Sequence, residues 1–399
     1  MRRRTVLLLQ LASGLGAMSY GTMFTILDDL RDKYGVSESR LGMVLGVGFL
    51  AGFVSNVFVA PLADKGHAKR MIMLGIAIQL VGNTMFAFST SFLPLFTARA
   101  IMGIGGGMMY PAIRRIIILG DPENMGSNLG RMLSFDVGGF TVGPVLSAVT
   151  VGTLGIEAPF LIISVLMLAL GAGLRNLHVT EAAADDAPRQ RLAFDLFRIR
   201  PFAGAIVIGC ALFVMIGTFD ALWSLMMDDM DAPTWVANIG ISLFALPMLF
   251  LGPPGGRLTQ RVGPFRASIA GLLAGTVIIS MYGVLPSPYA MIVFGCIHGI
   301  VDGLTVTGGS AAIAMVVPHE RLAAAQGMQG AAQTLVAGTA SVVAGTAYGT
   351  FGRGPSFLGC AAIMLACIAT GAWMARGHLG LKGTDTFGAV DQSANEPIL

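Results

Sequence analysis

Charged residues are scarce in this sequence of 399 residues, since Asp, Glu, Lys and Arg together make up 12% of it. A soluble globular protein carries about 25% charged residues. Hydrophobic residues make up 54% of the chain, and its mean hydropathy is +0.75. A water-soluble fold could not bury so much apolar surface, so a soluble protein is excluded and lipid is the expected solvent. The net charge of +3 is too small to indicate a nucleic-acid partner.

Other absences exclude whole classes of chemistry. The sequence contains no G-x-x-x-x-G-K-[ST] motif, so ATP is not expected to be the direct energy source. The four cysteines lie inside apolar runs and form no disulfide or metal-binding pattern. The sequence also contains no cluster of His and Cys residues that could hold a metal ion. We therefore expect no metal, no cofactor and no enzyme activity.

Long apolar runs dominate what is present. Twelve runs of about 20 residues are each long enough to cross the hydrocarbon core of a bilayer as a helix. They lie at about 5–27, 40–60, 71–89, 93–113, 128–150, 155–174, 202–226, 235–254, 265–285, 289–314, 323–348 and 356–376. The first run is interpreted as an uncleaved helix rather than a signal peptide, because it is long enough to span and further spans follow. The predicted fold is an all-α integral membrane protein with twelve transmembrane helices.

The longest polar stretch divides the chain into two halves of six helices. We predict an N-terminal six-helix bundle (1–174), a linker (175–201), a C-terminal six-helix bundle (202–378) and a disordered tail (379–399). Most of the 25 Lys and Arg residues fall on the same side of the membrane as the N-terminus. The positive-inside rule places that side in the cytoplasm. We expect a monomer in the plasma (inner) membrane, with both termini cytoplasmic.

The two halves repeat features of each other. An acidic pair stands at the outer end of each first helix, at 28–29 and at 228–229. A basic turn follows each second helix, at 60–71 and at 255–267. Two similar six-helix halves suggest a transporter built by duplication.

The motifs in these repeats resemble those of the major facilitator superfamily, and the likeness covers nearly the whole chain. The family's G-x-L-x-D-R-x-G-R-R loop between helices 2 and 3 is matched at Ala60, Leu62, Asp64, Lys65, Lys69 and Arg70, with Ala60 and His67 where glycine is expected. The second copy keeps Gly256, Leu258, Arg261, Gly263 and Arg266, with Gln260 in place of the acid. In helix 4, R-x-x-x-G-x-G is matched at Arg99, Gly103 and Gly105.

Helix 5 is similar to that of the drug/proton antiporter group, whose G-x-x-x-G-P motif is matched at Gly139, Gly143 and Pro144. Ser147 and Ala148 follow where that group has glycines. Glycines permit close packing and a proline allows a bend, so the segment is either a bend that favours export or a plain kink.

The resemblance implies two pseudo-symmetric six-helix bundles and transport driven by a proton gradient. In similar transporters the acid of the first basic turn, here Asp64, caps the positive end of helix 11 and holds the cytoplasmic side shut. The predicted gate residues are Asp64, Lys65, Lys69, Arg70 and Arg261. A positive-inside anchor would explain Lys69 and Arg70 but not Asp64. Family members often pair the turn's bases with an acid at the end of helix 4, where this chain has Arg114 and Arg115.

Five ionisable residues stand at membrane depth, where a charge costs about 2.5–3.5 kcal/mol and indicates function by default. They are Arg99, Asp136, Asp220, His298 and Asp302. Asp220, beside Trp223, is a candidate proton carrier or substrate anchor, and the indole could stack on a cation or simply pack. His298 and Asp302 share one helix face and could relay a proton or form a structural hydrogen bond.

The other two membrane residues each have two interpretations. Asp136 is either a proton site or the partner of a base on a neighbouring helix or of Arg131. Arg99, in the resembling antiporters, assists proton transfer, and its alternative is a counter-ion for one of the carboxylates.

Together these features predict a proton-coupled exporter of small amphipathic or drug-like compounds that works by alternating access. The expected partners are the lipid bilayer, protons and a small-molecule substrate. A proton-coupled metabolite importer or a flippase-like lipid carrier on the same fold is the alternative, favoured by the incomplete helix 5 motif. A non-transporting sensor is disfavoured, because it has no need of several costly charges in the membrane.

Overall fold

The computed structural model describes residues 3–176 and 192–382 of the chain. Most of the predicted linker (175–201) and of the predicted disordered tail (379–399) lies outside these residues, as does the side chain of Asp28. Those two assignments therefore stay predictions.

Within the described ranges the chain forms fourteen α-helices and no strand. They are α1 (Arg3–Thr25), α2 (Leu27–Tyr34), α3 (Glu38–Phe58), α4 (Ala68–Ala87), α5 (Phe92–Gly120), α6 (Met125–Leu154), α7 (Ala158–Arg175), α8 (Arg200–Asp229), α9 (Thr234–Val262), α10 (Pro264–Tyr282), α11 (Pro288–Thr305), α12 (Gly308–Val316), α13 (Leu322–Phe351) and α14 (Arg353–Met374). Each of the twelve predicted spans coincides with a helix, or in the tenth case with the pair α11 and α12. By length and composition, 10 of these segments could cross a membrane. The predicted all-α membrane fold is confirmed.

The tenth span differs from its prediction as one continuous helix over 289–314. Instead, α11 ends at Thr305 and α12 begins at Gly308. Two consecutive glycines have poor helix propensity. A Cβ atom at Gly308 would also overlap the hydroxyl of Ser268 and lie 2.8 Å from the carbonyl oxygen of Pro264, at the start of α10. Only glycine fits at this close approach to α10, at the point where α12 begins.

Two compact units divide the chain, and neither follows a sequence half completely. Unit 1 comprises Met1–Asp121, Ser134–Ala193 and Glu320–Ala331, whereas unit 2 comprises Pro122–Leu133, Phe194–His319 and Ala332–Leu399. Unit 1 therefore contains the first turns of α13, and unit 2 contains the first turns of α6.

Each unit is built around close helix pairs. In unit 1, α5 packs against both α3 and α4, and in unit 2, α9 packs against α11 and α8 against α14. Glycines allow the closest approaches, as where Gly75 of α4 meets Gly105 of α5. Unit 2 is also fastened at the end of α8, where the Tyr348 hydroxyl of α13 donates to the Asp229 carboxylate at 2.6 Å.

Candidate functional site

The turn after α3 holds Asp64 at a helix N-terminus. Residues Ala60–Lys65 form a short 3₁₀ turn that ends at Gly66, whose φ of 77° favours glycine. Asp64 is fully buried and accepts hydrogen bonds from the amides of Ala323 (2.9 Å) and Ala324 (2.7 Å) in the first turn of α13. A carboxylate at this position is stabilised by the partial positive charge of the helix end. The resemblance implied a cap on the eleventh predicted span, which is α13, and this contact is present in unit 1.

Asp64 pairs with a base from α5 rather than with one from its own turn. The Nε atom of Arg115 donates to the Asp64 carboxylate at 2.8 Å, and both side chains are buried. Lys69 instead donates to the Arg175 carbonyl at the end of α7 (2.8 Å), where a cation meets the negative end of the helix dipole. Arg70 is exposed, and Lys65 is half-buried. Arg115, at the end of the fourth predicted span (α5), thus supplies the charge that balances Asp64.

Gln260 occupies the equivalent place in unit 2, and the sequence motifs did not predict it as a site residue. Its side-chain oxygen accepts from the amide of Gly126 at 2.9 Å, in the first turn of α6. Its side-chain nitrogen donates to the carbonyls of Pro122 and Glu123, each at 3.1 Å. The repeat of the two basic turns aligns Gln260 with Asp64 and could have identified it. The neighbouring Arg261, a predicted gate residue, is exposed.

Asp136 lies on α6 and contacts α1. The Ser13 hydroxyl donates to its carboxylate. Arg114 and Tyr110, both on α5, lie within electrostatic range of the carboxylate. The structure forms no ion pair between Asp136 and Arg131 among the described residues, so the contact is with the neighbouring helices instead.

Arg99 is buried between two aromatic rings. Its guanidinium carbon lies 5.0 Å from the ring centroid of Tyr20 and 5.9 Å from that of Phe49. Gly48 leaves room for this side chain, since a Cβ atom there would overlap the guanidinium. The Nε atom has no hydrogen-bond partner in the described part of the chain. The suggested role as counter-ion of a carboxylate is therefore not what this geometry provides, because cation–π contacts hold the charge.

The G-x-x-x-G-P motif of the fifth predicted span lies on α6 and forms the contact between α6 and α1. A Cβ atom at Gly139 would overlap the carbonyl oxygen of Gly14, and one at Gly143 would press on the backbone of α1. Pro144 cannot donate to the carbonyl four residues earlier, which belongs to Phe140. That carbonyl oxygen lies against Gly21 of α1, where a Cβ atom would overlap it. The motif therefore works in this structure as a backbone-to-backbone seam.

In unit 2, Asp220 stands at the edge of an aromatic cluster. Its side chain is exposed, and it has no hydrogen-bond or ion-pair partner among the described residues. The adjacent Phe219 packs against Trp223, Phe244 and Tyr282 at centroid distances of 5.2, 5.6 and 5.4 Å. Trp223 is only 2% exposed. Its ring is a packing contact here, so stacking on a bound cation stays a prediction that requires the ring to become accessible.

His298 and Asp302 lie side by side on α11, as their spacing predicts. The Nε2 atom of His298 is 4.0 Å from the Asp302 carboxylate, which is beyond hydrogen-bond distance. The Nδ1 atom lies 3.4 Å from the Tyr282 hydroxyl, and the imidazole meets Phe244 edge-on. Both side chains are buried. Tyr282 was missed by sequence reasoning, since nothing in the chain marks it as a partner of a residue 16 positions away.

Gly299 and Gly303, which lie on α11 beside this pair, pack against α9. A Cβ atom at Gly299 would overlap the carbonyl oxygen of Phe244, and one at Gly303 would lie 3.0 Å from Met248 and Leu251. The aromatic cluster thus links the surroundings of Asp220 to His298 and Asp302 within unit 2, whereas Asp136 and Arg99 belong to unit 1. Among the described residues, no group of three or more His, Cys, Asp or Glu side chains could hold a metal ion.

Comparison with known proteins agrees with this architecture. The family model of the Major Facilitator Superfamily matches residues 6–237 and 207–386. The synaptic vesicular amine transporter of Homo sapiens is 26% identical over 273 residues, which cover 67% of this chain and 52% of that protein. This chain thus spans about half the length of that relative. The uncharacterized MFS-type transporter YfkF of Bacillus subtilis is 25% identical over 338 residues, which cover 81% of this chain and 83% of that protein.

Solved structures share the fold at low sequence identity. The human organic anion transporter MFSD10 (TETRAN) superposes with a TM-score of 0.78 at 16% identity, covering 92% of this chain and 99% of that structure. The E. coli fucose:proton symporter FucP superposes with a TM-score of 0.75 at 15% identity, covering 94% and 98%. Because the family model accounts for most of the sequence and the fold agrees, the chain belongs to the Major Facilitator Superfamily and is a multi-pass membrane protein of that transporter family.

Proposed function

We propose that the protein is a proton-coupled secondary transporter that exports small amphipathic or drug-like compounds by alternating access. The observation that carries this proposal is the set of carboxylates at membrane depth, of which Asp220 and Asp302 have no Lys or Arg partner among the described residues. An unpaired carboxylate lowers its cost in the membrane by binding a proton. A transporter that loads and releases a proton in each cycle needs such a group.

Asp220 and the His298–Asp302 pair divide the proton chemistry in this proposal. In this proposal Asp220, which is exposed at the surface of the protein, exchanges protons or substrate with an aqueous compartment. His298 and Asp302 are buried at 4.0 Å from each other, so a small movement of either side chain would bring them into hydrogen-bond contact. Phe219 and Tyr282 connect the two places through packed rings. A proton that binds at one place can therefore influence the packing at the other.

The Asp64 cap serves as the cytoplasmic gate in this proposal, with the orientation taken from the positive-inside distribution of Lys and Arg. Its two amide contacts join the turn after α3 to the first turn of α13, and its pair with Arg115 holds the same turn to α5. Opening that side requires the two amide hydrogen bonds to break.

Amphipathic amines are the first substrates to test. Curated relatives include transporters named for amines, and their likeness spans 67% of this chain. An exposed carboxylate next to an aromatic cluster suits a cation with an apolar body. Asp220 supplies the exposed carboxylate, whereas Phe219 is 6% exposed, so the aromatic surface becomes available to a substrate only when the cluster opens.

A second candidate is a proton-coupled importer or a lipid carrier on the same fold. Ser147 and Ala148 stand where the exporters have glycines, and the Ser147 hydroxyl lies 3.5 Å from the Thr22 carbonyl of α1. This part of the α1–α6 seam therefore departs from the exporter pattern that the first candidate relies on.

The test of the proton-carrier role is the substitution Asp220→Asn in proteoliposomes. We expect gradient-driven transport of amphipathic amines to be abolished while substrate binding, measured by ligand-induced thermal shift, is retained. Asp32→Asn is the matched control, because Asp32 is an exposed acid paired with Arg31. The Asp32→Asn variant should transport normally. Normal turnover in Asp220→Asn would end the claim, and loss of binding with intact coupling would make Asp220 a substrate anchor.

A further inference from the structure

Gln260 contacts the start of α6 on both sides of the point where the helix begins. Its amide oxygen accepts from the Gly126 amide, and its amide nitrogen donates to the Pro122 and Glu123 carbonyls that precede the helix. The side chain is 6% exposed, and each of its polar atoms has a partner. Because a carboxylate only accepts, a glutamate could not make the two donated contacts.

The backbones of α6 and α9 meet closely beside this contact. A Cβ atom at Gly126 would overlap the carbonyl oxygen of Gly256, and one at Gly130 would overlap that of Gly252. The approach leaves no room for side chains other than hydrogen at these points. Gln260 and the paired glycines therefore fix the first turns of α6 against α9 within unit 2.

The arrangement repeats the Asp64 cap with a neutral group. In unit 1 the turn after α3 binds the first turn of α13 through a carboxylate, and a Cβ atom at Gly327 would lie 2.6 Å from the carbonyl oxygen of Asn56. In unit 2 the last turn of α9 binds the first turn of α6 through the amide side chain of Gln260. Each short segment that departs from its sequence half is thus held by one buried polar side chain.

We propose that Gln260 is a positioning residue of the transport cycle, a second latch that holds the start of α6 to α9 and must release together with the Asp64 cap. α6 carries Asp136 and the Gly139–Gly143–Pro144 seam, so the latch acts on the helix that bears both. A neutral amide holds α6 without adding a charge to the membrane. The inference rests on the proposed alternating-access cycle but not on proton coupling or on any particular substrate.

The experiment measures thiol accessibility at both helix starts in the full-length protein in proteoliposomes. Ser127→Cys on α6 and Ala324→Cys on α13 place thiols at positions that are 4% and 1% exposed. A membrane-impermeant maleimide then labels each thiol, and the protein with only its natural cysteines gives the background. Gln260→Met removes all three hydrogen bonds at similar side-chain volume. Arg261→Met is the matched control, because it changes the exposed neighbour of Gln260.

We expect Gln260→Met to raise the labelling rate about tenfold at both positions, and Arg261→Met to change neither. A rise at position 127 alone would reduce Gln260 to a local helix cap, and unchanged labelling at both positions would also overturn the latch. If Gln260→Met does not insert, Gln260→Glu decides in its place, since it keeps the acceptor for Gly126 and loses both donated bonds. Labelling needs neither substrate nor gradient, so failed transport with labelling as expected would count against the proposed function and not against the latch.

Discussion

Asp64 and Arg115 form a buried ion pair whose members do not contribute equally. Asp64 accepts from two α13 amides as well as from Arg115, whereas Arg115 depends on Asp64 for its charge balance. We expect Asp64→Asn to lower the free energy of unfolding by about 3–5 kcal/mol, because it leaves a buried cation without a counter-ion. Equilibrium unfolding by SDS in mixed micelles measures the change.

A double-mutant cycle separates the pair from the helix cap. Asp64→Asn combined with Arg115→Gln should cost clearly less than the two single changes added together, because the uncompensated charge is gone. Strictly additive costs would contradict the ion pair and leave Asp64 as a helix cap alone.

Arg99 is held by ring faces, so its planar guanidinium is part of the contact. We expect Arg99→Lys to lower the free energy of unfolding by about 2 kcal/mol, since a desolvated cation between two rings loses its stacking. Arg40→Lys is a matched control at an exposed arginine, where the guanidinium carbon of Arg40 lies 5.6 Å from the ring centroid of Phe92 and about 0.5–1 kcal/mol is expected. Equal effects at the two positions, measured by the same SDS unfolding, would contradict the assignment.

At the scale of helices, the α1–α6 seam predicts opposite effects for glycine substitutions within one helix. Gly139→Ala places a methyl group against the Gly14 carbonyl and should destabilise the protein by about 1–3 kcal/mol. At Gly152, also in α6, a Cβ atom meets nothing within 4 Å, so Gly152→Ala should be neutral or stabilising by up to about 1 kcal/mol. Thermal unfolding of the two variants in detergent tests this, and the same sign at both positions would refute the seam.

Helix positions could be predicted from the sequence because the mean hydropathy of a span is taken over about 20 residues, and single residues change it little. The interruption at residues 306–307 could not, since the apolar run continues through these residues. The partners of Asp64 lie 51, 259 and 260 residues away in the chain, and no pattern in a single sequence connects such positions. The resemblance supplied the α13 cap but not Arg115, which stands where the family has an acid.

Residues that share a helix face were predicted more accurately than contacts between helices. The α11 spacing correctly placed His298 and Asp302 together, because helical periodicity alone decides which residues share a face. The aromatic neighbours of Asp220 were visible in the sequence, whereas the burial of Trp223 depends on its packing against Gly240. The contacts of Gln260 with the start of α6 are seen only in the structure, although the repeat aligns its position with that of Asp64.

At the scale of the whole molecule, each unit contains a short segment from the other half of the sequence. The first turns of α13 belong to unit 1 and those of α6 to unit 2, and buried polar side chains hold both. Under the proposed cycle, these two helix starts are the segments that must change partners between states. Their hydrogen bonds then contribute to the energy difference between the states rather than to fold stability alone.

The direction of coupling tests the central claim most directly. The purified protein is reconstituted into proteoliposomes with a pH gradient imposed across the membrane, and uptake of amphipathic amines, organic anions and sugars is followed. If the protein is a proton-coupled exporter, an acidic interior should drive uptake of an amphipathic substrate as protons leave, and collapse of the gradient with an ionophore should stop it. Uptake driven by an acidic exterior would show symport, and uptake indifferent to the gradient would contradict proton coupling altogether.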